Sequence, residues 1–243
     1  MRLLLGSDCM EEFLCERRTT ISYRDGGIFR KYYKYSREPE VMAEQKFSRK
    51  ALNSGINCPQ FLSWGYCDEK KMFYSEFEFI EIGSINRNTV DELLLKIALA
   101  QLEKMPLCDQ LNRYNDRHLK TDLFSIIPFL PLEGQNEYTR LVERLFLRNS
   151  EVLIHGDYSF ENIGWDIKKN TIIIFDFQNA EYGVKDWDKS YLLSSIPNVK
   201  LVSSVPDINI NLMKIITALK YGRAVRKDFE VEERKKIYEY WWK

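Results

Sequence analysis

The sequence is poor in histidine and cysteine, carries no excess of either charge and contains no long apolar run. Two histidines, His118 and His155, are too few for the multi-histidine sites on which zinc hydrolases rely. The five cysteines, Cys9, Cys15, Cys58, Cys67 and Cys108, are an odd number without C-x-x-C spacing, which argues against both a disulfide framework and a zinc site. Lysine plus arginine and aspartate plus glutamate number 36 each, so no global field selects nucleic acid, an acidic polymer or a membrane surface as partner. Leu3, Leu4 and Leu5 stop at Gly6, Ser7 and Asp8, too short for a signal-peptide core, and no later run approaches a membrane span. The expectation is a soluble cytoplasmic protein with reduced thiols.

What is present is apolar and aromatic: 44% and 14% of 243 residues, enough to bury the core of one large domain or two small lobes. Residues 17–35 alternate Thr, Ile, Tyr and Phe around Asp25, Gly26 and Gly27, the pattern of a β-hairpin. Pro39 suits a first helical turn, and small or apolar residues recur to Leu52 before Asn53, Ser54 and Gly55 end the helix. Pro59–Trp64 and Lys71–Ile80 read as strands. The first 80 residues are therefore expected to form a small antiparallel sheet holding one helix, and residues 81–243 a larger, mainly helical part. In the latter, Thr89 and Glu92 form a capping box before Leu93, and Tyr138, Leu141, Val142, Leu145 and Phe146 mark a second helix. Pro106–Pro131 has no assignable pattern. From Lys189 onward the chain reads as helices joined by a loop around Pro197 and Pro206.

The chemistry concentrates in two apolar strands and the residues immediately after them. Val152–Ile154 runs into His155-Gly156-Asp157, with Asn162 five residues after the aspartate; Thr171–Phe175 ends in Asp176. A hairpin-like pairing of these strands would bring Asp157, Asn162 and Asp176 to one end of a sheet. Oxygen ligands of this kind suit a hard cation such as Mg²⁺.

His155-Gly156-Asp157 with Asn162, then Phe175-Asp176-Phe177, resembles the catalytic loop and metal-binding strand of the aminoglycoside phosphotransferase and choline kinase group, relatives of protein kinases. The resemblance implies an α+β, bilobal protein-kinase-like fold and an ATP-dependent kinase acting on an alcohol. It implies Asp157 as catalytic base, Asn162 and Asp176 as ligands of Mg²⁺, and His155 and Asp188 as structural braces, with Asp186 as the alternative to Asp188. Lys31 is implied to reach the nucleotide phosphates, held by Glu44. Lys34 is its rival, since a two-residue strand period cannot place both lysines on one face. Glu78 and Ile80 fall in the connector that offers backbone groups to adenine. No G-x-G-x-x-G loop is present, only Gly26 and Gly27.

The acceptor is expected to be a small molecule, a sugar or glycan precursor, with aminoglycosides and choline-like amino alcohols as alternatives. A nucleotide-binding scaffold without chemistry is the alternative of another class. The basic residues Lys200, Lys214, Lys220, Arg223, Arg226, Lys227, Arg234, Lys235 and Lys236 read as a solvated helical face; should they line the acceptor groove, an anionic sugar gains over an antibiotic.

Overall fold

The computed structural model describes residues 11–17, 19–35, 38–108, 117–148 and 150–243, so Cys9 and the leucines at 3–5 lie outside the described residues, as does the side chain of His118. The chain divides into two compact units, Met1–Gly83 with Trp165–Asn179, and Ser84–Gly164 with Ala180–Lys243.

In the first unit, strands β1 (Glu12–Glu16), β2 (Thr20–Asp25) and β3 (Ile28–Tyr33) precede helix α1 (Glu38–Asn53), and β4 (Phe61–Cys67) and β5 (Met72–Glu78) follow it. They form an antiparallel sheet of order β1-β2-β3-β5-β4. Asp25 pairs with Ile28 across Gly26 and Gly27, and Gly26 takes the left-handed φ of 57° that the turn needs and that glycine adopts without a Cβ penalty. Helix α1 buries Val41, Glu44, Phe47, Ser48 and Ala51, residues three and four apart on one face, and ends at Gly55 with φ 81°.

The chain continues through β6 (Ile82–Ser84), α2 (Glu92–Leu102), α3 (Arg117–Ser125), α4 (Leu132–Leu145), β7 (Val152–Ile154), β8 (Ile163–Asp166), β9 (Thr171–Ile174) and β10 (Glu181–Gly183). Helices α5 (Trp187–Leu193), α6 (Val199–Ser203), α7 (Ile210–Lys227) and α8 (Val231–Trp242) complete it. Three expectations need correction. The cap of α2 is Asp91, whose carboxylate accepts the Leu94 N–H at 2.8 Å; Thr89 instead closes a 3-10 turn capped by Asn86, because Val90 stays extended between them. Strand β7 pairs antiparallel with β10, whereas β9 lies beside β8, so Val152–Ile154 and Thr171–Ile174 do not form a hairpin. Trp165–Asn179 belongs with the first unit because Asn57 holds it there: its carbonyl accepts the Ile174 N–H at 2.9 Å and its side chain donates to the Ile172 carbonyl at 3.0 Å.

The core of the second unit gathers Leu123, Ile126, Tyr138, Val142, Trp187 and Leu219, all essentially inaccessible to solvent. Burial of each such side chain contributes about 1.5–3 kcal/mol. Where α7 crosses Ile126 its residue is Gly222, and a Cβ there would stand 2.7 Å from the Ile126 Cβ. The segment without an assignable pattern holds α3 and a 3-10 turn at Ile127–Phe129. No described helix is long and apolar enough to cross a membrane.

Candidate active site

Lys31 stands on the central strand β3, opposite Ser22 on one side and Ser75 on the other. Its Nζ donates to Glu44 Oε1 and Oε2 at 3.1 and 3.3 Å and to Asp176 Oδ1 at 2.7 Å. Lys31 and Glu44 are 5% and 1% exposed, so the ion pair is out of water. Burial opposes the charge on Lys31, yet the two carboxylates outweigh it and hold the ammonium above its usual range. Tyr33, two residues along on the same strand face, donates its hydroxyl to Glu44, and Ser75 Oγ lies 3.0 Å from that hydroxyl. Lys34 points elsewhere and pairs with Glu16 at 2.6 Å.

Asp176 follows β9 with φ 69°, the left-handed region that aspartate visits more readily than most side chains. Its neighbour Phe177 is buried. Lys31, Glu44 and Asp176 line one cavity of about 350 Å³, whose remaining wall is largely apolar and includes Phe29, Phe77 and Ile82. Glu78 and Ile80 line it as well. The N–H groups of Glu78 and Phe79 are committed to the carbonyls of Gln60 and Gly27. Gly26 and Gly27 are not among the lining residues; Arg17, Thr20 and Ser22 are, and no sequence pattern singled them out.

In the second unit the loop after β7 is held from below. Asp188 Oδ2 accepts the His155 N–H at 2.6 Å and Oδ1 the Gly156 N–H at 3.1 Å, with Gly156 at φ 80°. Burial pushes the Asp188 carboxyl up to about 6 despite these donors. Asp186 instead occupies the N-cap of α5 with φ 68°. His155 is fully buried, its Nδ1 accepting the Asp157 N–H at 3.4 Å and its ring edge-on to Tyr158. Asn162 Nδ2 donates to the carbonyl of Asp157 at 2.9 Å and to its Oδ2 at 3.0 Å. An amide so committed turns Oδ1, its acceptor, away from Asp157.

Asp157 lines a second cavity, of about 470 Å³, with Tyr191, Lys220, Arg223, Lys227 and Arg234. Burial and the nearby Asp157 carboxylate raise the Tyr191 phenol above the usual phenol range. Arg223 pairs with Asp122, Lys214 with Glu137 at 2.8 Å, while Lys200, Lys235 and Lys236 are exposed. The basic segment is therefore split between a cavity wall and a solvated surface. Burial, together with Arg234 and Arg223, pushes the Lys220 ammonium well below its usual range.

The family profile described as the phosphotransferase enzyme family matches residues 23–201. The chain belongs to the phosphotransferase enzyme family. It is a kinase acting on hydroxyl groups. Among solved structures, the GDP complex of wild-type aminoglycoside 2'-phosphotransferase-IIIa superposes with a TM-score of 0.64 at 16% identity, covering 95% of this chain and 91% of that one. The GDP and kanamycin complex of a related 2''-phosphotransferase gives 0.59 at 18% identity, covering 95% and 92%. A thermostable mutant of aminoglycoside phosphotransferase APH(4)-Ia in its apo form gives 0.63 at 11%, covering 94% and 91%. These likenesses show the protein-kinase-like fold. No curated protein matches the sequence. Among the described residues no group of three or more His, Cys, Asp or Glu side chains comes together as a metal site.

Proposed function

We propose that the protein moves the γ-phosphate of ATP to an alcohol of a carbohydrate-like small molecule in the cytoplasm, with Asp157 as base and Mg²⁺ as cofactor. The observation that carries this reading is the way Asp157 is held on a cavity wall. The backbone just before it, at His155 and Gly156, is fixed by Asp188, and its carboxylate is held by Asn162. A carboxylate so oriented meets an acceptor hydroxyl in one geometry and takes its proton as the oxygen attacks phosphorus.

Lys31 is assigned to the nucleotide phosphates, because its position is set by Glu44 and does not have to be bought from rotamer entropy when the nucleotide binds. Ile80 and the apolar wall around Phe29 and Phe77 are assigned to the base. Asn162 and Asp176 would hold Mg²⁺, which neutralises charge on the phosphates when bound. Neighbours solved with ADP and with GDP support a purine nucleotide as donor, and the GDP complexes favour GTP as the second reading. Kanamycin and hygromycin B in other neighbours support an aminoglycoside as the alternative acceptor.

An ADP-release screen of sugars, glycan precursors, aminoglycosides and amino alcohols tests the reading, with Asp157→Asn as control and product NMR to locate the phosphate. Turnover that persists undiminished in Asp157→Asn would contradict the base assignment.

A further inference from the structure

The second cavity contains more cationic groups than its own carboxylates answer. Five cationic side chains line it, Arg87, Lys220, Arg223, Lys227 and Arg234, against Asp157, Glu161 and Glu230. One of those three carboxylates is the base itself. Lys220, Arg223 and Lys227 follow one another at spacings of three and four along α7 and so share a helix face. Arg87 and Arg234 share Glu230 at 2.9 and 2.8 Å, and Arg223 is paired with Asp122.

Lys220 is different. Its Nζ donates to the Tyr191 carbonyl at 2.8 Å and to Ser195 Oγ at 2.5 Å, and it lies 4.0 Å from the centre of the Tyr191 ring. All three partners are neutral, and among the described residues no carboxylate forms an ion pair with it. Two more groups on the same wall are unmatched. Arg234 Nη1 and Ser159 Oγ are buried without a hydrogen-bond partner among the described residues, and Ser159 sits two residues after Asp157. A partly buried ammonium with only neutral partners, on the same cavity wall as Arg223 and Arg234, is unfavourable until an anion joins it, and unmatched donors carry a desolvation cost until an acceptor arrives.

We infer that the acceptor of this kinase is itself an anion, a sugar or polyol bearing a phosphate or carboxylate, whose charged group is received by Lys220 with Arg234 and Arg223 while its hydroxyl meets Asp157. This rests on the reading of Asp157 as the base. A cavity of about 470 Å³ suits a ligand of monosaccharide size with one substituent. A polycationic aminoglycoside would add like charges to Lys220. In the transfer, the bond from the nucleotide's β–γ bridging oxygen to the γ-phosphorus breaks as the acceptor oxygen bonds to that phosphorus. The nucleoside diphosphate leaves with the electron pair, and the hydroxyl proton passes to Asp157 and on to solvent.

The test has a binding arm and a turnover arm. Calorimetry on the Asp157→Asn protein compares glucose 6-phosphate, glucuronate, glucose and kanamycin, each repeated with Lys220→Gln and Lys220→Arg added. The expected result is that an anionic probe binds more tightly than glucose. Lys220→Gln weakens that probe by roughly tenfold to a hundredfold, the usual effect of losing one hydrogen bond to a charged group, and Lys220→Arg largely retains it. Preference for the phosphate or for the acid identifies which anion is read. Equal binding of glucose, preference for kanamycin, or indifference of anion binding to Lys220→Gln overturns the inference. The Lys220→Arg protein keeps the test decisive should Lys220→Gln fail to fold. Turnover measured as ADP release on the protein with Asp157 intact separates the two readings. Lys220-dependent anion binding with no Asp157-dependent turnover of any acceptor upholds the anion subsite and removes the kinase reading, whereas turnover of neutral or cationic acceptors alone keeps the kinase and removes the anion.

Discussion

The two cavities treat a lysine on their walls in opposite ways. In the first unit Lys31 is answered by Glu44 and Asp176 before any ligand arrives, and Glu44 is in turn held by Tyr33 and Ser75. In the second, Lys220 has a backbone carbonyl, a hydroxyl and an aromatic face. One cation is part of the fold, and the other is held in reserve for what binds. The difference separates groups whose removal should cost stability from groups whose removal should cost function alone.

Five substitutions, one of them read as a pH scan, probe that separation. Asp157→Asn should lower turnover by roughly 10²–10⁴, the usual contribution of a positioned base, while leaving nucleotide affinity in a filter or fluorescence assay close to wild type. Lys31→Met strands Glu44 in the interior, so thermal or urea unfolding should show a loss of about 3–5 kcal/mol. A loss below 1 kcal/mol would remove the distinction between the two lysines.

The third probe is pH. Asp188 is held up to about 6 in the folded state against an ordinary aspartate value near 4. Its protonated form is therefore the one the fold favours. That contribution is fully present below the unfolded pKa, declines as pH rises between the two values and is gone above about 6; its full span is at most about 3 kcal/mol. Asp188→Asn should flatten the stability profile between about pH 4 and 6, seen by comparing melting curves of the two proteins. Lys220→Met should leave the melting temperature unchanged or raise it slightly, by the equivalent of about 1 kcal/mol or less, because it removes a cation with only neutral partners among the described residues. Smallest of all, Lys34→Ala should shift stability by under about 1 kcal/mol and leave turnover alone, since its pairing with Glu16 is solvent-accessible.

Local patterns carried the elements, and local patterns are why some details escaped. The β2–β3 hairpin was readable because Asp25-Gly26-Gly27 punctuates an alternating run, and α1 because its apolar spacing ends at Gly55. The two-residue strand period separated Lys31 from Lys34 but could not say which faced Glu44. Strand pairing is set by distant residues, so nothing near Val152 announced β10 as its partner. Tyr33 could have been found from the same period that governs Lys31. The stripe at 220, 223 and 227 could have been found from helical spacing, but whether such a stripe meets water or a cavity depends on packing that the sequence does not display. Thr89 was a plausible cap until Asp91, two residues later, supplied a better one.

Gly222 sits on α7 between Lys220 and Arg223, where even a methyl group would meet Ile126. The depth at which those two cations stand is thus set from behind, by a contact that never touches a ligand. Substitution at 222 or 126 acts like a shim under the helix. It offers a way to change the shape of the cavity while every residue that lines it stays the same.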